Sequence, residues 1–261
     1  MSGHSKWSTI KHKKEANDAK RSKEFSKIST LITHAAKVGG GDPEMNPTLR
    51  MNIDKAKSIG FPINNIEKAI AKGTGEGGDG IEFHEVSYEG FGPEGVAIIT
   101  DCLTDNTNRT ISEMRKLFEE VGGSLGDSGS VSWNFEIKGR IDIKAGHKEE
   151  GDKYGDSDKF VEDDLDQVMM DLMDIEGILD IQEEDINGIK GVYVITGFKD
   201  LAKVRDSISE KLPYIVDDAY IIKIANHKKK LEGEKLEKVL NALERFEDHN
   251  DVQSVWSDLD V

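Results

Sequence analysis

Glycine punctuates this chain and limits how long any helix in it can run. Gly39, Gly40 and Gly41 stand in a row, Gly122 and Gly123 form a pair, and residues 73–80 hold five glycines in eight positions. Glycine readily takes the left-handed backbone that closes a helix, and inside a helix it costs about 1 kcal/mol relative to alanine. Apolar periodicity must therefore be read between these breaks. Before residue 73 the period is helical. After residue 81 strand-like runs alternate with helical ones. The expected class is α+β with an all-helical start.

Ahead of the first break a helix is expected from Asn17 or Asp18, both good caps, to Val38. Phe25, Ile28, Ile32 and Ala35 recur at helical spacing, and Lys20, Lys23, Lys27 and His34 fall on nearly the opposite face. A second helix starts at Pro47 with Asn46 as cap, buries Leu49, Ile53 and Ala56, and ends at Gly60. A third follows Pro62. There Asn64 and Glu67 have capping-box spacing, Ile66, Ala69 and Ile70 point inward, and Gly73 is the expected stop. Residues 73–80 lack the Lys-Ser/Thr of a phosphate loop and follow a helix, so they read as a linker.

Beyond Ile81, strands are expected at 83–88 and 96–99, joined by a turn-rich stretch at 90–95. A helix at 108–121 carries a second capping-box spacing, Thr110 and Glu113, and a core face of Ile111, Met114, Phe118 and Val121. A strand at 131–135 closes a ββαβ order. Next come a strand at 141–143, a helix at 160–173, strands at 178–181 and 192–195, a helix at 201–212 and a strand at 219–224. That order, βαββαβ, is the split-βαβ or ferredoxin-like pattern. A last helix at 234–247 and strand at 252–256 lack a partner of their own and are expected to return to the ββαβ unit. The expected domains are thus 1–75, helical and basic; 81–136 with 228–261, discontinuous α/β; and 137–227, a ferredoxin-like α/β insertion.

Several functional classes fall away. No apolar run in the 261 residues approaches the ~20 needed to span a membrane, and 1–14 has no apolar h-region, so a cytoplasmic chain is expected. The single cysteine, Cys102, excludes an intramolecular disulfide and reads as a small buried hydrophobe. The histidines make no HExxH, so no metal and no cofactor are expected. The acidic stretch from Asp152 to Asp164 lacks the spacing of a calcium loop and reads as solvation and helix-start stabilisation. No nucleophile and base stand in a recognisable pattern, so no catalytic role is expected.

Charge is the informative feature. Residues 1–75 hold fourteen Lys/Arg against seven Asp/Glu, a net of +7; the remaining twenty-one against forty-four give −23. A phosphate backbone is attracted to one end and repelled by the rest. Lys6, Lys11, Lys13, Lys14, Lys20, Arg21, Lys23 and Lys27 supply the charge, with Trp7 and His12 interleaved as candidate stacking groups. Arg109 joins them as a candidate anion contact, because a cation at a helix start opposes the helix dipole. In one variant the second and third helices, joined at Gly60-Phe61-Pro62, form a helix-turn-helix with Asn64, Asn65, Lys68 and Lys72 facing a groove.

The opening Met1-Ser-Gly-His-Ser-Lys-Trp7 and the following Ile10-Lys-His-Lys-Lys14 closely resemble the start of the YebC/PmpR family. So do Asn46-Pro-x-Leu-Arg50, Gly60-Phe-Pro62, Asn65-Ile-Glu-x-Ala-Ile70, Tyr88-Glu-Gly-x-Gly-Pro-x-Gly95, Thr104-Asp-Asn-x-Asn-Arg-Thr110 and Gly126-x-x-Gly-Ser-Val131. The resemblance is densest over 1–135 and weakest around 145–165, where the long acidic insert departs from it. It implies a three-domain fold, a helical domain followed by two α/β domains. It also implies a non-enzymatic, DNA-binding transcriptional regulator. The alternative it carries is a ribosome-associated translational activator that binds RNA. The partners implied are DNA, or ribosomal RNA and the ribosome, with a protein partner for the acidic α/β domains.

Overall fold

The computed structural model describes residues 18–75, 82–149 and 159–260, with side chains from Arg21 onward. These fall into two compact units, 134–227 on one hand and 18–133 with 228–260 on the other.

The larger unit begins with three helices, α1 (Asp18–Gly39), α2 (Pro47–Ser58) and α3 (Ile63–Thr74). Ile28, Ile32, Ala35 and Ala36 of α1 close on Leu49, Ile53 and Ala56 of α2 and on Ile66 and Ala69 of α3. Asn46 caps α2 as expected, its side chain accepting the Leu49 N–H at 3.0 Å. Its amide also donates to the carbonyls of Ala35 and Gly40, both at 2.8 Å, which ties the end of α1 to the start of α2.

Two expectations for α3 fail. The helix starts one residue before Asn64, at Ile63, with Pro62 at the cap and no side-chain capping bond. Asn64 is thus already inside the first turn and cannot cap. Nor does Gly73 stop the helix, which runs on to Thr74 and closes at Gly75, φ +84°. Gly73 serves close packing instead: a Cβ there would sit 2.3 Å from the Thr33 carbonyl oxygen of α1.

The same unit holds β1 (His84–Phe91), β2 (Ala97–Thr104), α4 (Thr107–Glu120) and β3 (Ser124–Leu125). Residues 135–225, described below, intervene. The chain then resumes as β10 (Lys229–Lys230), α7 (Gly233–Glu247), β11 (Val252–Ser257) and β12 (Leu259–Asp260). The sheet order is β11-β2-β1-β3, every pair antiparallel. The last helix and strand do return, with β11 on β2. Phe118 of α4 meets Phe246 of α7 at 4.5 Å between ring centroids, in a core shared by both parts of the chain. Two readings of α4 are corrected. Asn106 is its cap, accepting the Arg109 N–H at 3.0 Å, so the Thr110–Glu113 box does not form. Ile111 is exposed, and the buried position beside it is taken by Thr110.

The smaller unit contains β4 (Phe135–Lys144), β5 (Gly146–Glu149), β6 (Lys159–Glu162), α5 (Leu165–Met173), β7 (Ile178–Ile186), β8 (Ile189–Gly197), α6 (Leu201–Lys211) and β9 (Ile215–Ala225). Its antiparallel sheet runs β7-β8-β4-β9, the ferredoxin-like order, with the β5–β6 hairpin inserted after the first strand. Ile141, Ile143, Val192 and Val194 face Val168, Leu172, Val204 and Ile208 of the two helices. Two boundaries differ from expectation. The run 131–135 is not a separate strand: a short 3-10 turn, Ser132–Asn134, leads into the ten-residue β4. The start of the 160–173 helix is the edge strand β6, and α5 begins only after Asp164. On the other face of the sheet, Arg140 pairs with Asp142 at 2.7 Å and Glu184 at 2.8 Å and lies 4.0 Å over the Tyr193 ring. These charges are buried but fully matched.

Candidate nucleic-acid interface

Of the basic residues singled out in the sequence, Lys6, Trp7, Lys11, His12, Lys13, Lys14 and the Lys20 side chain lie outside the described residues. Arg21, Lys23 and Lys27 are described, and α1 sends them to different places. The Lys27 Nζ donates to the Glu247 carbonyl oxygen at 2.5 Å, and Lys23 pairs with Asp248 at 3.3 Å. Both cations therefore sit at the C-terminal end of α7, where helix carbonyls and the dipole favour positive charge. His34, on the same face, lies 3.9 Å from the Glu85 carboxylate and edge-on to Phe83. From Lys23 to His34 the polar face of α1 is thus turned onto α7 and β1. Arg21 stands apart. Its guanidinium rests 5.3 Å from the Phe25 ring centroid, and Phe25 packs edge-on against Phe61 in the turn before α3.

Arg109 is held by more partners still. Its guanidinium is 2.7 Å from Asp251, 3.0 Å from Asp105 and 3.8 Å from Glu113. Three carboxylates neutralise it, so it does not present positive charge to an anion from solvent. The hydrogen bond to Asp251 strengthens its hold on its proton. Burial alone would raise the Asp251 carboxyl; hydrogen bonds from Arg109 and Thr110 outweigh that and keep it below the ordinary carboxylate range. The buried Thr110 hydroxyl donates to Asp251 at 2.7 Å and lies 2.8 Å from the Thr104 hydroxyl. The run from Thr104 to Thr110 thus closes β2, the cap of α4 and the β11 approach into one polar knot.

Sequence reasoning missed Asp251, Glu113 and His249 here. Asp251 is 142 positions from Arg109, and no local pattern announces it. Glu113, His249 and Asp251 bring ligand-type atoms within 4.8 Å of one another. Asp251 Oδ2 accepts from Arg109 and Thr110, and Glu113 Oε2 faces both Arg109 and His249. His249 Nδ1 accepts the Asp251 N–H at 3.2 Å, which leaves the proton on Nε2, facing Glu113 at 3.1 Å. With Arg109 in the same cluster, the chemistry is that of an ion-pair network rather than a cation site.

Two other motifs resolve into structure. In the Gly126–Val131 loop, the Glu89 carboxylate accepts the N–H groups of Gly129, Val131 and Ser132 at 2.9–3.1 Å. Those bonds overcome the raising effect of burial and hold its pKa down. Beside this fixed loop the Trp133 ring is exposed, its N–H donating to the Ser130 carbonyl. Cys102 is buried in the sheet, and burial pushes its thiol up to about 12, far from a reactive thiolate.

Residues 5–76 match the TACO1/YebC protein N-terminal domain, and residues 83–259 match the TACO1/YebC second and third domain. The chain belongs to the TACO1/YebC family. Its relatives include a probable transcriptional regulatory protein of Dictyoglomus turgidum, 43% identical over all of this chain and 96% of that protein. Another, from Geobacter sulfurreducens, carries the same description and is 42% identical over the same shares. Among solved structures, a conserved hypothetical protein from Aquifex aeolicus superposes with a TM-score of 0.75. It is 35% identical, with 96% of this chain and 95% of that one covered. Both the family and the fold class implied by the sequence motifs therefore hold across nearly the whole TACO1/YebC chain. Among the described residues no helix is long and apolar enough to cross a membrane.

Proposed function

We propose that this protein is a nucleic-acid-binding regulator of gene expression, acting on DNA as a transcriptional regulator, with no catalytic step of its own. The observation that carries the reading is the charge division, +7 over residues 1–75 against −23 over the rest, in a family whose relatives bear the name of transcriptional regulators. Affinity for a phosphate backbone then resides in the first 75 residues. The acidic α/β parts orient the protein and offer a surface to protein partners. Three separate hydrophobic cores support three domains, 1–75, 81–136 with 228–261, and 137–227. The basic stretch Lys6–Lys14 supplies phosphate contacts, with Trp7 and His12 as the stacking groups. Lys23 and Lys27 are spent on α7 and Arg109 on its carboxylates, so these three contribute least.

The test is binding of the full-length chain to random-sequence duplex DNA and, separately, to ribosomal RNA, at several salt concentrations. Salt-sensitive binding with DNA preferred is the expected result. Binding to neither overturns the reading. A clear preference for ribosomal RNA replaces transcription with translation as the process regulated.

A further inference from the structure

We infer that α3 is a second, ordered nucleic-acid contact, which lies in the major groove of duplex DNA and reads bases through Asn64 and Asn65 while Lys68 and Lys72 hold phosphates. This rests on the nucleic-acid reading above and locates a surface for it.

The argument starts from which cations remain open. Within the helical part, Lys23 and Lys27 are held by α7, Lys57 pairs with Asp54, and Arg50 faces Glu44. Lys68 and Lys72 are exposed and have no hydrogen-bond or ion-pair partner among the described residues. At about 100° per residue, Asn64, Lys68, Lys72 and Asn65 fall within an arc of about 100° on α3. Ile66, Ala69 and Gly73 lie outside that arc, on the packed side. Glu67, the one acid of the helix, falls about 60° outside that arc. The stripe is therefore polar and positive at once. It offers amides able to bond a base edge bidentately and ammonium groups able to neutralise phosphate.

The helix is also held firmly enough to read. Gly73 lets α3 approach α1 so closely that a Cβ would meet the Thr33 carbonyl. At its other end, the turn through Gly60, φ +75°, and Phe61 is packed against Phe25. A Cβ on Gly60 would come 3.0 Å from the Arg21 guanidinium, so a third cation stands beside the entry to α3. Two helices joined by a short glycine turn, the second exposing amides and cations, fit B-form DNA, whose major groove admits a helix. The deep, narrow major groove of A-form RNA does not.

Wild type, Lys68→Ala/Lys72→Ala and Asn64→Ala/Asn65→Ala, all as full chains, are titrated onto short random-sequence duplex DNA over a KCl series, and the bound DNA is sequenced. The lysine pair is expected to flatten the plot of log K against log salt by about two units, at about 0.9 per lost phosphate contact. The asparagine pair should leave that slope unchanged and erase the base preference selected by wild type. Melting curves should match wild type, since all four side chains are exposed; Lys68→Gln/Lys72→Gln repeats the test with the helix propensity kept. A wild-type slope in both lysine variants, or no base preference in wild type, overturns the assignment of α3 and leaves the N-terminal contacts intact. A wild-type chain that binds no duplex at all sinks the function itself.

Discussion

Arg109 illustrates how many partners one side chain can gather. Its place in the sequence, at a helix start where a cation opposes the dipole, suggests an anion contact. In the fold it closes a polar knot with Asp251, which gives it a structural role. Replacing it with alanine leaves a mostly buried carboxylate with one partner fewer, and we expect a loss of about 1 kcal/mol in urea unfolding. A stability equal to wild type would show the ion pair contributes nothing. Asp251 also sets an acid dependence. Its folded pKa is depressed, so its stabilisation is present above the ordinary carboxylate value near pH 4 and is lost as pH falls through the folded value. Glu89 has the same sign. Asp251→Asn should therefore flatten the fall in unfolding free energy below about pH 4, leaving the Glu89 part in place. A profile unchanged by Asp251→Asn would contradict the assignment. The sequence could supply Arg109 and Thr110 as candidates, but not the partner, because the chain leaves this site at β4 and returns only through α7.

At the scale of elements, periodicity and caps made most of the fold legible. The stripes Ile28–Ile32–Ala35 and Leu49–Ile53–Ala56 are the helical core, and the βαββαβ order became the antiparallel sheet β7-β8-β4-β9. What was not legible was which polar residue caps and which glycine stops. Asn64, Thr110 and Gly73 all fit a local rule, yet α3 starts one residue before Asn64, and tertiary packing gave Thr110 and Gly73 other tasks. Gly73 makes the point testable. An exposed helical glycine replaced by alanine gains about 1 kcal/mol, but here the new methyl would press on the Thr33 carbonyl and the Ala36 methyl. Gly73→Ala should therefore lower stability by about 1–3 kcal/mol in thermal or urea melts. A more stable variant would mean that α1 and α3 are not in close contact. In the α/β core, Phe118→Ala should cost about 3–5 kcal/mol, since its ring is fully buried against Phe246 from the far end of the chain. A cost near zero would mean that the two separated segments do not share a core.

The whole molecule is organised by charge, and here sequence and structure divide the labour. The sequence alone exposes the imbalance between the first 75 residues and the acidic remainder. The structure pairs Lys23 and Lys27 with the end of α7 and Arg109 with Asp251. On the proposed function, phosphate binding then rests on Lys6–Lys14 and the stripe on α3. Replacing Lys11, Lys13 and Lys14 together with alanine tests this most directly. The stretch has no apolar stripe in its sequence, so the variant should fold as wild type does. Salt titrations of both proteins on one duplex DNA probe should give a slope of log K against log salt flatter by about two to three units in the variant, at about 0.9 per contact, with base preference unchanged. Equal slopes would contradict the account: the basic N-terminus would then be a solvated tail, and the division of charge would not be a division of function.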